Sequence, residues 1–418
     1  MNLFEQIYET FKFPKGYKIK LFEAFAGIGC QRMGMDKYGI PYESVGISEI
    51  DKYALKSYEA IHGNCENFGS ITEIKGKDLP QIDIFTYSFP CTDLSKAGKQ
   101  KGLNNTRSGL VYEVLRILQE LNELQNLPRV LIMENVVDLV QSKFIKQFNE
   151  IQFELEKLGY TNYVQKLNSK NYGVAQNRDR VFMVSILEDY YYEFPKPFPL
   201  EKRLKDYLED EVDERYYLSE AFLNYCLDKT DRNGFVRSDR FNPHDLEKSE
   251  YAFCITTNPG NRPTDNYLLI PLGVAIPEAT SKGYAIAKDG GGIYIDRPHQ
   301  KRGVVQDGMI PTLKTSGNDI GIVGILEEKD ASREIPLIVA DEVGTLLRIW
   351  EGEKLKDGEI LAFIRKLTPL EVYRFMGIGD EAYHKAAKAV SRSQRYKQAG
   401  NGIVVDVIGL IIKQLVEE

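Results

Sequence analysis

Between residues 19 and 187 the chain alternates short, nearly continuous apolar runs with longer segments of helical period. The runs IKLFEAFAG (19–27), IDIFTYSF (82–89) and RVLIMENV (129–136) carry too few polar residues to face water on either side. They predict strands buried on both faces, and so a parallel sheet covered by helices. The covering helices lie between them. GLVYEVLRILQELNEL (109–124) and FIKQFNEIQFELEKLG (144–159) have helical spacing, with Gly159 placed to cap the second. The alternation predicts a doubly wound α/β domain.

Near Phe194 the texture changes. Pro195, Pro197 and Pro199 make a stiff linker that cannot sit inside a sheet, which ends a first domain at 1–194. From about 200 to 361 Gly and Pro become frequent and short β-like runs appear, such as GGIYID (291–296) and DIGIVGIL (319–326). They predict a second, smaller, irregular β-rich domain over 195–361. Helical patterning returns after Arg365 (LTPLEVYRFMG, then GIVVDVIGLIIKQLVEE), and the last helix is apolar on nearly all sides. Such a helix needs burial, and the first domain is its natural host for the segment 362–418.

With 418 residues there is room for two to three domains, and 43% hydrophobic with 28% charged residues excludes collagen-like or broadly disordered architecture. The start, MNLFEQIYETFKFPKGYKIK, has no signal-peptide pattern, and no apolar run reaches the ~18 residues of a membrane span. A cytoplasmic protein that does not span a membrane is expected. The five cysteines are odd in number and lack C-x-x-C spacing, and the four histidines are dispersed. Neither a disulfide framework nor a metal site is expected, so a special cysteine here is better suited to be a nucleophile. The net charge of -7 means that any nucleic-acid surface must be local.

Four clusters carry candidate chemistry. Phe25-Ala26-Gly27-Ile28-Gly29 follows a strand and precedes a helix, where glycines let a ligand approach the backbone and the helix start favours an anionic group. Glu49, about 20 residues on, closes a second strand-like run and can accept hydrogen bonds from ribose hydroxyls, so an adenosine-bearing cofactor fits. Ser88-Phe89-Pro90-Cys91 ends another strand and leads into a loop rich in Gly, Lys and Arg, with the composition of a basic lid that grips phosphates. Glu134 emerges from a strongly apolar strand, either partly desolvated, which favours its protonated form, or ion-paired. Arg178 and Arg180 in QNRDR precede a strand and share one face by its period of two. Each cluster alone also describes a tight turn, a packing cysteine, a capping glutamate or a charged strand entry.

Taken in order, these motifs resemble the DNA (cytosine-5) methyltransferase family, of bacterial or phage restriction-modification type. The resemblance rests on FAGIG (25–29), Glu49, FPC (89–91), ENV (134–136), QNRDR (176–180), RKLTPLEVYRFMG (365–377) and AGNGI (399–403), which span nearly the whole chain. It implies a Rossmann-like S-adenosylmethionine-dependent methyltransferase domain, a target-recognition domain, a C-terminal segment returning to the catalytic domain, and S-adenosylhomocysteine as product. It places Phe25, Ala26, Gly27, Ile28, Gly29, Glu49, Ile50, Ser70, Ile71, Pro90, Leu110, Asn401, Gly402 and Ile403 at the cofactor. Cys91, Glu134, Arg178 and Arg180 would surround a flipped-out cytosine, with Cys91 adding to C6, Glu134 bonding N3 and the amine, and Arg180 holding O2. Three positions depart from the family pattern: Ser70 where an acid is frequent, Cys30 where a third glycine is common, and Thr92 where glutamine is common.

Double-stranded DNA is the implied partner, gripped by Lys96, Lys99, Gln100, Lys101 and Arg107 of the lid. Residues 281–318 carry six basic and three acidic side chains, and Arg297, Lys314, Ser316 and Asn318 are the candidates there for sequence readout. No obligate protein partner is implied, though this type brings a cognate restriction endonuclease into view. The competing readings are a tRNA-directed enzyme of the same family, a catalytically silent DNA-binding module and, more distantly, a dinucleotide-dependent oxidoreductase. The silent module has no use for an intact Cys91, Glu134 and Arg180, and the oxidoreductase lacks the full glycine fingerprint.

Overall fold

In the first part of the chain the apolar runs become a six-stranded sheet: β1 (Ile19–Ala24), β2 (Tyr42–Ser48), β3 (Ile84–Tyr87), β4 (Val130–Val136), β5 (Tyr160–Asn168) and, after the two-residue β6 (Gln176–Asn177), β7 (Asp179–Leu187). The order is β2-β1-β3-β4-β7-β5. These elements come from a computed structural model that describes residues 9–90, 107–227, 241–246, 248–277 and 360–417, with segments 284–287, 292–294, 305–306, 320–322, 336–340 and 346–349. Helices α1 (Cys30–Lys37), α2 (Lys52–His62), α3 (Val111–Glu123) and α4 (Ile145–Lys157) lie between the strands in sequence. The α3 pattern works as its spacing predicts: Val111, Val114, Leu115, Ile117, Leu118 and Leu121 are buried, in one core with Phe22, Phe85 and Met133. Gly159, just beyond α4, takes the left-handed φ of 92° expected of a cap.

The sheet is parallel through β2, β1, β3 and β4, but β7 runs antiparallel to both β4 and β5. The expectation of a parallel sheet therefore fails at this edge. Residues 169–178 contain a 3-10 turn and β6 but no crossover helix, and strands joined without a crossover must run in opposite directions. The reversal matters for function. It brings the first residues of β7 to the edge at which β4 ends, with Val136 opposite Arg180.

The chain divides into two units, Met1–Arg203 with Phe253–Asn258 and Val372–Glu418, and Leu204–Ala252 with Pro259–Glu371. The first division falls after Arg203, beyond the 194/195 boundary expected from the prolines. Phe198 donates its N–H to Asn171 O at 3.0 Å and meets the Tyr172 ring edge-on at 6.3 Å, which holds the proline segment on the first unit. The last division falls after Glu371, beyond 361/362, because the strand there is part of the second unit's sheet. The return of residues 253–258 to the first unit has no counterpart in the sequence pattern.

The second unit contains α5 (Glu220–Leu227), β8 (His244–Asp245) and, after the short β9 (Ala252–Phe253), strands β10 (Tyr267–Pro277), β11 (Tyr284–Ala287), β12 (Gly292–Tyr294), β13 (Val305–Gln306), β14 (Ile320–Ile322), β15 (Ile338–Ala340), β16 (Leu346–Ile349) and β17 (Ile360–Lys366). One sheet runs β11-β10-β17-β15-β16 with β8 beside β10, and a smaller one runs β13-β12-β14. Arg365 on β17 forms a buried, two-pronged ion pair with Glu371 at 2.8 and 2.9 Å. Glu371 also accepts from Thr368 N at 2.7 Å while Thr368 Oγ1 accepts from Glu371 N at 3.2 Å. That reciprocal capping box, with Pro369 in the first helical position, starts α6 (Pro369–Arg374).

Helices α7 (Asp380–Ala389), α8 (Arg392–Asn401) and α9 (Val405–Lys413) complete the first unit. On α9 Val405, Val407, Ile408, Gly409, Ile411 and Ile412 are buried, and the helix packs on α1 at a crossing where side chains are missing on both sides. A Cβ on Gly34 would lie 2.9 Å from Gly409 N, and one on Gly409 would lie 2.8 Å from Gly34 O. Asp406, buried in the same helix, has a carboxyl pushed up by burial, which Lys37 opposes from 2.6 Å.

Candidate active site

The carboxyl ends of β1, β2, β3 and β4 and the start of β7 lie along one edge of the sheet, where open α/β folds bind ligands. The loop after β1 is tightly wound: Phe25, Gly27 and Gly29 have φ of 57°, 59° and 76°. Phe25 is unusual there, since a bulky residue rarely adopts positive φ. Gly27 has nothing within 4 Å of where a Cβ would stand, so its backbone faces open space. Glu49, at the end of β2, clasps this loop. Its Oε2 accepts from Gly27 N at 2.8 Å and its Oε1 from Ile50 N and Asp51 N at 2.8 and 2.7 Å. A carboxylate can accept about four hydrogen bonds, so one acceptor position remains. Beside it the Ile50 side chain is 75% exposed, an apolar surface without a protein partner covering it.

The other candidates of this group divide by burial. Ala26, Ile28, Ile71 and Ile403 are buried and pack beneath the loops, so only their backbones can face a ligand. Ser70 is half-buried and its hydroxyl is 2.8 Å from Thr72 Oγ1. Asn67 joins this stretch to Glu49, accepting from Glu49 N at 3.1 Å and donating to Glu49 O at 3.0 Å. Pro90 and Leu110 are half-buried. Asn401 is exposed at the end of α8, and Gly402, its C-cap, donates to Gln398 O at 2.9 Å.

On the β4 side, Asn135 Nδ2 donates to Phe89 O at 3.3 Å, fixing the strand end that leads through Pro90 to Cys91. Cys91 itself lies outside the described residues, as do Thr92, Lys96, Lys99, Gln100, Lys101, Arg297, Lys314, Ser316 and Asn318. Arg107 begins a 3-10 turn, Arg107–Leu110, and its side chain is also outside them. Glu134 is ion-paired, with Arg180 Nε 3.0 Å from its Oε1. The pair is diagonal across the β4–β7 ladder, since Val136 stands opposite Arg180 and Glu134 is two residues back on the same face.

Arg178 behaves differently from the base contact expected of it. It is almost fully buried, and its guanidinium donates to Ile255 O at 3.2 Å, Gly400 O at 3.1 Å and Gly402 O at 2.9 Å. Those bonds join the 253–258 segment to the end of α8. Gln176 serves the same segment, accepting from Ile255 N at 3.0 Å and donating to Phe375 O. Gly400 permits the approach: a Cβ there would stand 2.4 Å from Thr257 N.

Two groups of the site have no sequence signal. Cys254 Sγ is 3.4 Å from Arg178 Nη1. Burial raises its pKa, but the Arg178 and Arg180 guanidinium groups outweigh burial and leave the thiol lowered. Glu23, on β1 just before the glycine loop, is fully buried and accepts from Tyr58 OH at 2.7 Å. Its carboxyl is pushed up to about 7, by burial first, against the opposing pull of Tyr58 and Arg32. Among the described residues no group of three or more His, Cys, Asp or Glu is arranged to hold a metal.

A glycine loop clasped by a carboxylate and a carboxylate–guanidinium pair on one sheet edge define an α/β enzyme of the methyltransferase class, and the comparisons agree. The chain belongs to the C-5 cytosine-specific DNA methylases, whose family model matches residues 19–417. It is similar to the type II methyltransferase M2.ScrFI of Lactococcus lactis subsp. cremoris, at 30% identity over 95% of this chain and 99% of that one. It is also similar to the orphan methyltransferase M.SPRI of Bacillus phage SPR, at 29% identity over 96% and 98%. In fold it matches the Dnmt2 methyltransferase of S. pombe, with a TM-score of 0.57 at 19% identity over 95% of this chain and 98% of that one. The Entamoeba histolytica methyltransferase EhMeth matches with a TM-score of 0.60 at 16% identity over 96% and 98%. The protein is thus a DNA cytosine-5 methyltransferase. No helix among its described residues is long and apolar enough to cross a membrane.

Proposed function

We propose that the enzyme methylates C5 of a cytosine flipped out of duplex DNA, through a covalent Cys91 adduct at C6, with S-adenosylmethionine as donor. The observation that carries this reading is the placement of Glu134 and Arg180 as an ion pair on the sheet edge where β3 ends and runs on to Cys91. The cofactor fits the residues present. Gly27 offers open backbone, Glu49 keeps an acceptor position for ribose hydroxyls, and the exposed Ile50 offers an apolar face to adenine. When bound, S-adenosylmethionine supplies an electrophilic methyl group.

Cytosine C6 is a poor electrophile and C5 a poor nucleophile, so Cys91 adds as a thiolate at C6 and pushes electron density to C5. Glu134 bonds N3 and the exocyclic amine, which stabilises the adduct and excludes thymine, while Arg180 holds O2. Carbon 5 takes the methyl group with release of S-adenosylhomocysteine, then loses its proton to a base, and the returning electrons expel Cys91. Arg178 is a positioning residue in this scheme, since its two terminal nitrogens are engaged by the backbone carbonyls of Ile255, Gly400 and Gly402 and by Cys254. Extruding the base costs a few kcal/mol, which contacts from the basic lid at 92–110 offset. The second unit is the target-recognition domain. A nuclease partner follows only if the protein works as a type II rather than an orphan enzyme.

DNA containing 5-fluorocytosine tests the adduct, because fluorine cannot leave C5 as a proton does. With S-adenosylmethionine present, the wild type is expected to form a protein–DNA species stable to denaturing electrophoresis, and Cys91→Ser to form none. An enzyme active on ordinary DNA that forms no such species would rule out the thiolate mechanism.

A further inference from the structure

Beneath the 25–29 loop lies a set of buried and half-buried polar groups that the methyl-transfer scheme does not use. Glu23 takes the Tyr58 hydroxyl at 2.7 Å, and Tyr58 in turn accepts from Arg32 Nη1 at 3.1 Å. The Arg32 guanidinium also stands 5.5 Å from the Tyr58 and Tyr42 ring centroids and donates to Tyr42 OH at 3.3 Å. The loop rests on this set directly. His62 Nε2 is 3.0 Å from Ile28 O, and the His62 ring lies 4.8 Å from that of Tyr58. A Cβ on Gly29 would stand 2.4 Å from His62 and 2.8 Å from Tyr58, so the left-handed glycine is pressed against both. Helix α1 begins at Gly29 with no side-chain cap, and the second Glu23 oxygen is buried without a hydrogen-bond partner, under the electrostatic influence of the Arg32 backbone N–H.

We propose that Glu23, Tyr58 and Arg32 are positioning residues for the cofactor: they hold the 25–29 loop in its ligand-binding shape and set a buried negative charge behind it, facing a cationic ligand. This rests on the reading of that loop as the S-adenosylmethionine site, whose ligand carries a sulfonium. The charged and titratable groups around Glu23 are Arg32, Asp36 and Cys30 on α1 and Tyr58 on α2. Glu23 changes charge near neutrality, whereas Cys30 is pushed up to about 12 and Tyr58 is raised further from its ordinary value by burial. His62, pushed down to about 4 by burial, stays neutral and donates to Ile28 O. The charge behind the loop therefore switches on as pH rises through about 7.

The sign is fixed by linkage. A carboxyl raised above its unfolded value adds stability that is full at acid pH and is lost as pH rises through about 7. Ionised Glu23 thus weakens the apo fold while strengthening the hold on a cation. Calorimetric titration of the full-length protein with S-adenosylmethionine at pH 6 and pH 8 tests both halves, with S-adenosylmethionine titrating identically in every comparison. Glu23→Gln is expected to bind about tenfold more weakly than wild type at pH 8, the size of one partly screened charge, and nearly equally at pH 6. The loss should fall on KM, with kcat held within about twofold. Glu23→Asp should recover part of the affinity, and the wild-type fall in apo thermal stability between pH 5 and 7.5 should flatten in Glu23→Gln. Tyr58→Phe, which keeps the ring under Gly29, should show a smaller loss of affinity if Glu23→Gln does not fold. Equal affinities at pH 8, or the same loss at both pH values, overturn the proposal while leaving the cofactor site intact. A wild type that binds no S-adenosylmethionine overturns the site reading, and the proposal with it.

Discussion

At the scale of single residues the proposed scheme separates groups that would touch substrate from groups that hold others in place. Glu134 stands at the first of these positions, with Arg180 at 3.0 Å and no backbone donor spent on it in the described bonds. Glu134→Gln removes the charge while keeping the shape, and a positioned acid is typically worth about 10²–10⁴-fold in rate. Single-turnover methylation should fall by that order with S-adenosylmethionine affinity nearly unchanged; the reverse result would move Glu134 into the cofactor pocket. Cys254 makes a different test possible. Its thiol is lowered by two guanidinium groups, whereas burial pushes that of Cys30 up to about 12. Iodoacetamide at pH 8 should therefore alkylate Cys254 at least about tenfold faster than Cys30, as mass spectrometry of the digested protein would record. Glu49, Glu134 and Arg180 stood out in the sequence because each carries a charge near the end or start of a strand, where open α/β folds bind ligands, but nothing in the sequence paired Glu134 with Arg180. Glu23 and Cys254 did not stand out. A lone carboxylate inside IKLFEAF looks like an interruption of an apolar strand, and a cysteine in AFCITT has no neighbour in sequence that reveals the two arginines 76 and 74 positions before it.

Elements were legible where local physics decides them. The helices over 109–124 and 144–159 form where the spacing puts them because one face must be buried, and the Thr368 capping box starts α6 from its own four residues. Strand direction was not legible at β7. Whether a strand returns beside its neighbour or crosses over depends on the connection, and 169–178 is too short and too irregular to carry a crossover helix. The return of 253–258 to the first unit is likewise a long-range event, written in Gln176, Arg178 and Gly400 rather than in the segment itself. Gly400 is the most exacting of these. A methyl group there would stand 2.4 to 2.6 Å from backbone atoms of Thr256 and Thr257, with no flexible side-chain end among its nearest neighbours to displace. Gly400→Ala should cost about 1–3 kcal/mol, the usual range for overpacking, and loosen the carbonyls that Arg178 holds. Urea unfolding would show it as a lower midpoint; a variant within about 0.5 kcal/mol of wild type would mean that the segment shifts freely.

For the whole molecule the question is where sequence choice resides. Phosphate contacts position a protein on DNA and base-edge contacts specify sequence, and the lysine-rich stretch after Cys91 is suited to the first task. Exchange of the second unit with that of a relative of different specificity would test the other half, and the structure dictates how the exchange must be cut. Residues 253–258 interrupt the second unit in sequence but are bound to Gln176, Arg178 and the Gly400 turn of the first. At the far end, β17 (Ile360–Lys366) pairs with β10 and β15, so a cut at 361 would split that strand and leave most of it against two foreign strands. A single replacement of 200–361 is therefore expected to give poorly folded protein. Replacement of 204–252 and 259–371 together, with 253–258 retained, should give a folded enzyme that methylates the donor's sites. Bisulfite sequencing of DNA from cells expressing the chimera would read the outcome directly. An active two-segment chimera that still modified the original cytosines would place sequence recognition in the first unit, beside Glu134 and Arg180.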